Sequence, residues 1–298
     1  MAEVRSVVIT GASRGLGLAS AARLYSRGWH VVAAMRSPEA GLEKLRAATG
    51  AAPGDPRLTA VQLDLTDGAS VASAGKAITE AVGAPHVVVH NAAYITVGCV
   101  EEVPSHLVEQ IFTTNVIGPI RLTRELLPAM RAAGRGRIVI VSSVGGIRGM
   151  PATSLYSATK GAIERWGEAL AHEIAPFGLG VTVLSAGTFK TEVYDASYTE
   201  DHADRDGPYA PHHAALDRIG ERVIRSAKPP ERFAEALEKA LEKDAPFARH
   251  AIGSEAHVML MASRLMPSSA LHSVTRAMTG LPRRHALRAS GHDATRNE

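Results

Sequence analysis

Tyr156 and Lys160 stand four residues apart inside YSATKGAIERWGEALAHEI, a stretch with helical period. That spacing puts the two side chains on one helix face. A phenol ordinarily ionises at about pH 10, and an ammonium group beside it stabilises the phenolate and lowers that value. A tyrosine paired with a lysine in this way is a general acid/base for work closer to neutral pH. Ser143 lies thirteen residues before Tyr156, just past an apolar run at 138–141 that reads as a buried strand. From there its hydroxyl could hold a carbonyl or hydroxyl oxygen beside the phenol. The Tyr-x-x-x-Lys spacing alone decides little, because a core tyrosine with a surface lysine has the same spacing. Other stretches of the chain have to decide.

The first of these is TGASRGLG at 10–17, which follows an apolar, β-rich run at 4–10 and opens a helical pattern that ends near Gly28. Glycines at 11, 15 and 17 let the backbone turn tightly and approach a pyrophosphate at a helix N-terminus, where free N–H groups and the helix dipole favour anions. The spacing is Gly-x-x-x-Gly-x-Gly and not the common Gly-x-Gly-x-x-Gly. The second strand, His30–Met35, ends at Arg36. In a doubly wound sheet this strand end meets the adenosine ribose. An acid there accepts from a 2′-hydroxyl, whereas Arg36 suits a 2′-phosphate and Arg14 in the glycine loop adds a second cation. Both arginines could instead be solvated surface groups, but their placement favours NADP over NAD.

Further strands are expected at 58–63, 86–89, 138–141 and 181–184, with a short last one at Phe247–Ile252. Helices are expected at 71–82, 101–130 with a break near Gly118-Pro119, 156–176 and 231–242. Strands and helices alternating at this rhythm imply an α/β fold of the Rossmann type: a doubly wound parallel sheet of about seven strands, with helices on both faces. Residues 1–284 are expected to form one dinucleotide-binding and catalytic domain. Within it, 189–228 reads as a long irregular substrate segment of the kind that serves as a lid, and 254–284 as a C-terminal extension. Residues 285–298 have the composition of a frayed tail.

Composition limits the alternatives. The 298 residues are 45% hydrophobic and 21% charged, with a formal net charge of +3, ordinary values for a globular protein. The pI of about 9.1 owes part of its excess to arginines 283, 284, 288 and 296 near the end, so the body offers no basic face for nucleic acid. One cysteine, Cys99, excludes an internal disulfide framework and reads as a small, partly buried hydrophobe. A strand pattern by Val4 leaves no room for a secretory signal, and no apolar run approaches membrane-spanning length. A reducing cytoplasm fits these features. His86 and His90 have the spacing of a helical metal pair but lie in a strand, HVVVH, where they share no helical face. No metal is expected.

Taken together, TGASRGLG, Asp64, Asn91-Ala92-Ala93, Asn115, and Ser143 with Tyr156 and Lys160 resemble the short-chain dehydrogenase/reductase family, over roughly residues 4–253. The resemblance implies a carbonyl–alcohol oxidoreductase. Tyr156 would be the proton donor and acceptor. Lys160 would lower its pKa and hold the nicotinamide ribose, Ser143 would position the substrate oxygen, and Asn115 would help a proton relay. Cofactor contacts are implied for Gly11, Ser13, Arg14, Gly15, Leu16, Gly17, Arg36, Asp64 with Leu65 at the adenine, Asn91, Ala92 and Ala93 at the ribose, Tyr156, Lys160, Gly187, Phe189, and Thr191 at the nicotinamide carboxamide. Tyr94, Val144, Met150, Tyr194 and Tyr198 are implied as substrate contacts.

Two departures stand out. The family usually has Asn-Ala-Gly at 91–93 and Pro-Gly at 186–187, and losing that proline should loosen the loop. Within the family, SVGGIRGMP, APFG at 175–178 and the long C-terminal extension are similar to 17β-hydroxysteroid dehydrogenase type 1 and the retinol dehydrogenases. This implies a bulky lipophilic, steroid- or retinoid-like substrate. Tyrosines 194, 198 and 209, together with Met259, Met261, Leu265 and Met266, would close over its mouth. Arg148, near the expected substrate wall, would face solvent or pair with an acidic substrate group. A ketoreductase acting on carrier-protein or polyketide substrates, and a catalytically idle NADP sensor, are the alternatives. A homodimer or homotetramer is expected, paired through the helices around Asn115 and Tyr156, with Ile111, Phe112, Ile163 and Trp166 as apolar positions beyond one core-facing stripe.

Overall fold

A computed structural model of the chain describes residues 4–192, 200–282 and 284–287. Its centre is a seven-stranded sheet made of β1 (Ser6–Thr10), β2 (His30–Met35), β3 (Leu58–Gln62), β4 (Val87–His90), β6 (Gly136–Ser143), β7 (Leu179–Ala186) and β9 (Phe247–Ile252). Their spatial order is β3-β2-β1-β4-β6-β7-β9, and every pairing is parallel. The order reverses between β1 and β4. A crevice therefore opens at the carboxyl ends of those two strands, the place where open α/β sheets bind ligands.

The strands are apolar on both sides because helices cover both faces. Alternate side chains of one strand serve opposite cores. Val7 and Ile9 pack with Leu24 of α1 (Gly15–Ser26), Leu45 of α2 (Pro38–Thr49) and Phe233 of α9 (Pro230–Leu241). Val8 packs with Ile78 of α3 (Gly68–Val82), Leu126 of α5 (Gly118–Ala132) and Ile163 of α7 (Ser154–Ile174). Ile9 and Leu126 are fully buried, and truncating either to alanine would cost about 2–5 kcal/mol.

Several elements differ from the sequence expectation. β6 and β7 run past the apolar stretches 138–141 and 181–184, because their polar ends still pair, Ser143 opposite Ala186. This places Ser143 on the last position of a strand. Helix α2 buries little besides Gly41 and Leu45, too thin an apolar stripe to announce a helix. Its ends are marked instead by Pro38 in the first turn and by Gly50 in the left-handed conformation at φ 70°. The break expected near Gly118-Pro119 begins earlier, as a π-turn at Thr113–Ile117 between α4 (Ser105–Phe112) and α5.

The segment 189–228 is not irregular throughout. It contains β8 (Glu200–Asp201), which pairs with β5 (Thr96–Val97), and α8 (Ala210–Ser226). Only His213 and Ala215 of α8 are buried. The C-terminal extension is two helices, α10 (Ser254–Leu265) and α11 (Ser268–Met278). Tyr194 and Tyr198, and the tail beyond 287, lie outside the described residues.

Candidate active site

Ser143, Tyr156 and Lys160 meet where β6 ends against α7. Ser143 caps the short helix α6 (Val144–Ile147), its Oγ accepting from the Gly145 amide at 3.3 Å. A side chain at Gly145 would touch the Tyr156 ring, 3.6 Å away, so the strand end lies directly on the phenol. The Lys160 ammonium sits 5.6 Å from the centre of that ring and donates to the Val141 carbonyl at 2.8 Å. Lys160 is only 4% exposed. Burial pushes its pKa down to about 8, and the nearby Glu164 carboxylate opposes the shift.

Glu164 was not singled out from the sequence, although it follows Lys160 at the same four-residue spacing that flagged Tyr156. It is buried, accepts from Ser185 Oγ at 3.3 Å and lies 3.1 Å from Arg249 Nη2. The latter contact is an ion pair without hydrogen-bond alignment at that oxygen.

Asn115 is buried in the π-turn. Its Oδ1 accepts from the Tyr94 amide at 2.8 Å, while Nδ2 donates to the Tyr94 carbonyl at 2.9 Å and to Thr159 Oγ1 at 3.0 Å. Thr159 Oγ1 in turn donates to the Tyr156 carbonyl. The amide thus ties the β4 loop to the helix that carries the acid/base pair, and its hydrogen-bonding capacity is taken up by the protein itself.

Asn91 is turned the same way. Its Nδ2 donates to the carbonyls of Thr10, at 2.9 Å, and Gly11, at 3.3 Å, and Thr10 Oγ1 accepts from the amides of Asn91 and Ala92. The side chain thereby holds the glycine loop to β4. Thr10 opens the TGASRGLG motif, but its role in pinning the β4 loop depends on a partner some eighty residues away.

The glycine loop forms a cradle. Gly11 and Gly15 have positive φ, 67° and 52°. A Cβ on Gly17 would lie 2.3 Å from the Gly11 carbonyl oxygen, and one on Gly15 would lie 3.3 Å from the Thr191 side chain. Thr191 therefore faces the loop from the far side of the crevice. Ser13, beside Gly41 of α2, Arg14 and Leu16 complete the loop at the start of α1.

Arg36 is exposed at the end of β2. Asp64 at the end of β3 has its carboxyl held low chiefly by the Thr66 hydroxyl, with a smaller contribution from Arg36. A helix N-terminus with bare backbone, two arginines and an acid at successive strand ends fit a dinucleotide. Two residues expected to touch the cofactor have buried side chains. Leu65 is buried in the core, against Gly118. Phe189 is buried edge-on against Phe233, with ring centres 5.8 Å apart. Gly187 hydrogen-bonds the Ile252 carbonyl at 2.8 Å, and Ala93 is half-buried in the β4 loop.

Tyr94, Val144 and Met150 are half-buried beside this crevice. Arg148 is half-buried, and its Nη2 donates to the Ser268 carbonyl at 3.5 Å, joining the α6 turn to α11. Met259 and Met266 are half-buried, but Met261 and Leu265 point outward, 53% and 76% exposed, so only part of the expected apolar set can line a pocket. The His86 and His90 imidazoles are directed apart, to Ser6 and to Thr123 Oγ1.

The chain matches the family described as short chain dehydrogenase over residues 5–202. The chain belongs to the short-chain dehydrogenase/reductase family. Human 17-beta-hydroxysteroid dehydrogenase type 1 is 32% identical over 276 residues, covering 90% of this chain and 83% of that protein. The 3-ketodihydrosphingosine reductase of Bacteroides thetaiotaomicron is 30% identical over 258 residues, 87% of this chain and 91% of the relative. Among solved structures, a short-chain dehydrogenase from Streptomyces avermitilis superposes with a TM-score of 0.76 at 32% identity, covering 94% of this chain and 97% of the other. As a short-chain dehydrogenase/reductase, the protein is an alcohol–carbonyl oxidoreductase that uses a nicotinamide cofactor. No described helix is long and apolar enough to cross a membrane.

Proposed function

We propose that the protein is an NADP(H)-dependent oxidoreductase that interconverts a bulky lipophilic ketone or aldehyde with its alcohol. The observation that carries this reading is the buried Lys160 ammonium 5.6 Å from the Tyr156 ring, with Ser143 on the adjoining strand end. In the reductive direction Tyr156 gives its hydroxyl proton to the substrate oxygen, and Ser143 donates a hydrogen bond to that oxygen. Both act on charge that builds there in the transition state, and a preorganised pair of donors does this without reorganisation. Lys160 places a positive charge under the phenolate that Tyr156 becomes. The glycine cradle with Arg14 and Arg36 would hold NADP(H), which when bound would supply the hydride for the carbonyl carbon or take one from the alcohol. The carbon gains two electrons with the hydride and the oxygen gains the Tyr156 proton, so the alcohol is balanced.

Support for a bulky substrate comes from the half-buried Tyr94, Met150, Met259 and Met266. It also comes from two relatives whose names specify a steroid and a long-chain sphingoid ketone. Asn115 serves here through the backbone of its π-turn, since its amide is occupied, and π-turns are frequent at functional sites. We place the protein in the cytoplasm.

The deciding experiment is NADPH and NADH oxidation against a panel of steroids, retinoids, long-chain ketones, quinones, ketoacyl thioesters and small polar ketones. The reading requires NADPH and a bulky apolar carbonyl to give the highest kcat/KM. Higher kcat/KM on small polar ketones would overturn the bulky-pocket part. Best turnover of ketoacyl thioesters would favour a carrier-protein ketoreductase, and no turnover of any carbonyl would favour a sensor.

A further inference from the structure

We propose that Cys99, Glu102 and His213 form a binding site for a divalent cation of the zinc class, separate from the Ser143–Tyr156–Lys160 site. Cys99 and Glu102 belong to the turn after β5, and His213 belongs to the first turn of α8. One ligand atom from each lies within 4.8 Å of the other two. The His213 side chain is 2% exposed and that of Glu102 is 9%, so this is no surface cluster.

The geometry around Glu102 is specific. Each carboxylate oxygen is held by one backbone amide, Oε2 by Cys99 at 2.5 Å and Oε1 by Asp204 at 3.2 Å. His213 Nε2 then stands 2.8 Å from one oxygen and 2.9 Å from the other. A cation held by one of these oxygens and by Nε2 would lie between the carboxylate and the imidazole. The Cys99 sulfur lies within 4.8 Å of the same carboxylate, and burial with the Glu102 charge pushes its pKa up to about 11. Without metal, two donors that are both metal-ligand types therefore converge on one carboxylate.

A divalent cation can replace the protons they share. The thiol releases its proton to solvent, the imidazole keeps one proton on Nδ1 and offers the Nε2 lone pair, and the carboxylate retains its two amide donors. The two positive charges of the cation then balance one thiolate and one carboxylate, so the buried site is neutral. Zinc bonds are about 2.3 Å to sulfur, about 2.0–2.1 Å to imidazole and about 2.0–2.2 Å to carboxylate. At tetrahedral angles these bond lengths put nitrogen and oxygen roughly 3.3 Å apart, so the imidazole and carboxylate must separate by about half an ångström from their 2.8 Å contact. A sulfur, nitrogen and oxygen set selects zinc or cobalt over calcium or magnesium, which take oxygen ligands. Three protein ligands leave a fourth position for water. Such an ion would clamp α8 to the turn next to β5.

The test uses the full chain, stripped with a chelator and titrated separately with Zn²⁺ and Co²⁺. We expect uptake of one equivalent, a higher thermal midpoint with Zn²⁺, and thiolate-to-cobalt absorption with Co²⁺. Cys99→Ser should abolish that absorption. His213→Gln should weaken Zn²⁺ binding by at least the roughly 10–100-fold that follows loss of a group hydrogen-bonded to a ligand. Tyr156→Phe, which leaves these three residues untouched, should bind the metal normally. Absence of stoichiometric uptake overturns the proposal, as does uptake that is unchanged in the Cys99→Ser protein. Should His213→Gln not fold, the near-isosteric Cys99→Ser still decides through the cobalt spectrum.

Discussion

The phenol of Tyr156 is the one group in the proposed reaction that no neighbour can replace, since Ser143 is capped onto the Gly145 amide and Lys160 onto the Val141 carbonyl. Tyr156→Phe should keep cofactor binding and lower turnover by roughly 10²–10⁴-fold. Steady-state kinetics with a cofactor-fluorescence titration checks both, and a variant near the wild-type rate would end this mechanism. Lys160 carries the pH dependence. Its folded-state pKa, about 8, lies below the ordinary 10.5, so the folded protein disfavours the ammonium. The associated stability is present above the unfolded pKa and is lost as pH falls through about 8. Below that pH the buried charge costs roughly 3 kcal/mol by linkage. The ammonium is nonetheless the form that supports a phenolate, so reductive kcat/KM should decline as pH rises past about 8. Glu164 opposes the depression. Glu164→Gln should therefore move the alkaline limb to lower pH, and a pH–rate profile that does not move would leave Glu164 a purely structural ion-pair partner of Arg249.

At the scale of elements, the start of α1 and the ends of β2 and β3 decide which dinucleotide binds. The backbone of the loop comes so close to α1 that Gly17→Ala would drive a methyl group to 2.3 Å from the Gly11 oxygen. We expect a loss of about 1–3 kcal/mol in stability and a weakened cofactor site, read by denaturant unfolding and by titration. Unchanged affinity in a folded variant would show that the loop has slack. Arg36 is exposed at the end of β2 and influences Asp64. Charge-assisted hydrogen bonds contribute about 1.5–3 kcal/mol each, so Arg14 and Arg36 together should favour NADP over NAD by roughly 10²–10⁴-fold. Arg36→Asp should reverse the order, and equal affinities in the unmodified protein would mean that the arginines point away from the phosphate.

For the molecule as a whole, the open question is what covers its outward apolar residues. Ile111 and Ile163, expected at a subunit contact, are buried in the protein's own fold, because α4 and α7 each turn that position inward. Phe112 and Trp166 remain half-buried and Ile117 is exposed. On α10, Val258 (67% exposed), Met261 and Leu265 follow one another at helical spacing on the outer face. We expect light scattering at micromolar concentration to give two or four times 31.4 kDa. A mass of one chain would reject assembly and leave these faces to solvent or another partner.

The residue order by itself determined the alternation of strands and helices, the glycine loop, and the pairing of Tyr156 with Lys160. Each depends on a preference or period within one contiguous segment, and a parallel sheet follows once strands alternate with helices. The tertiary structure decided which polar groups the protein keeps for itself. Asn91 and Asn115 look the same in sequence whether they meet a ligand or the backbone of another segment. Only the docking of β4 beside β1, and of the π-turn beside α7, commits their amides inward. The same holds for Glu164 with Arg249, for Met261 facing outward while Met259 is half-buried, and for His213 meeting Glu102 from 111 residues away. Partners so far apart are chosen by how the crossover connections fold over the sheet, and a local pattern carries no record of that choice.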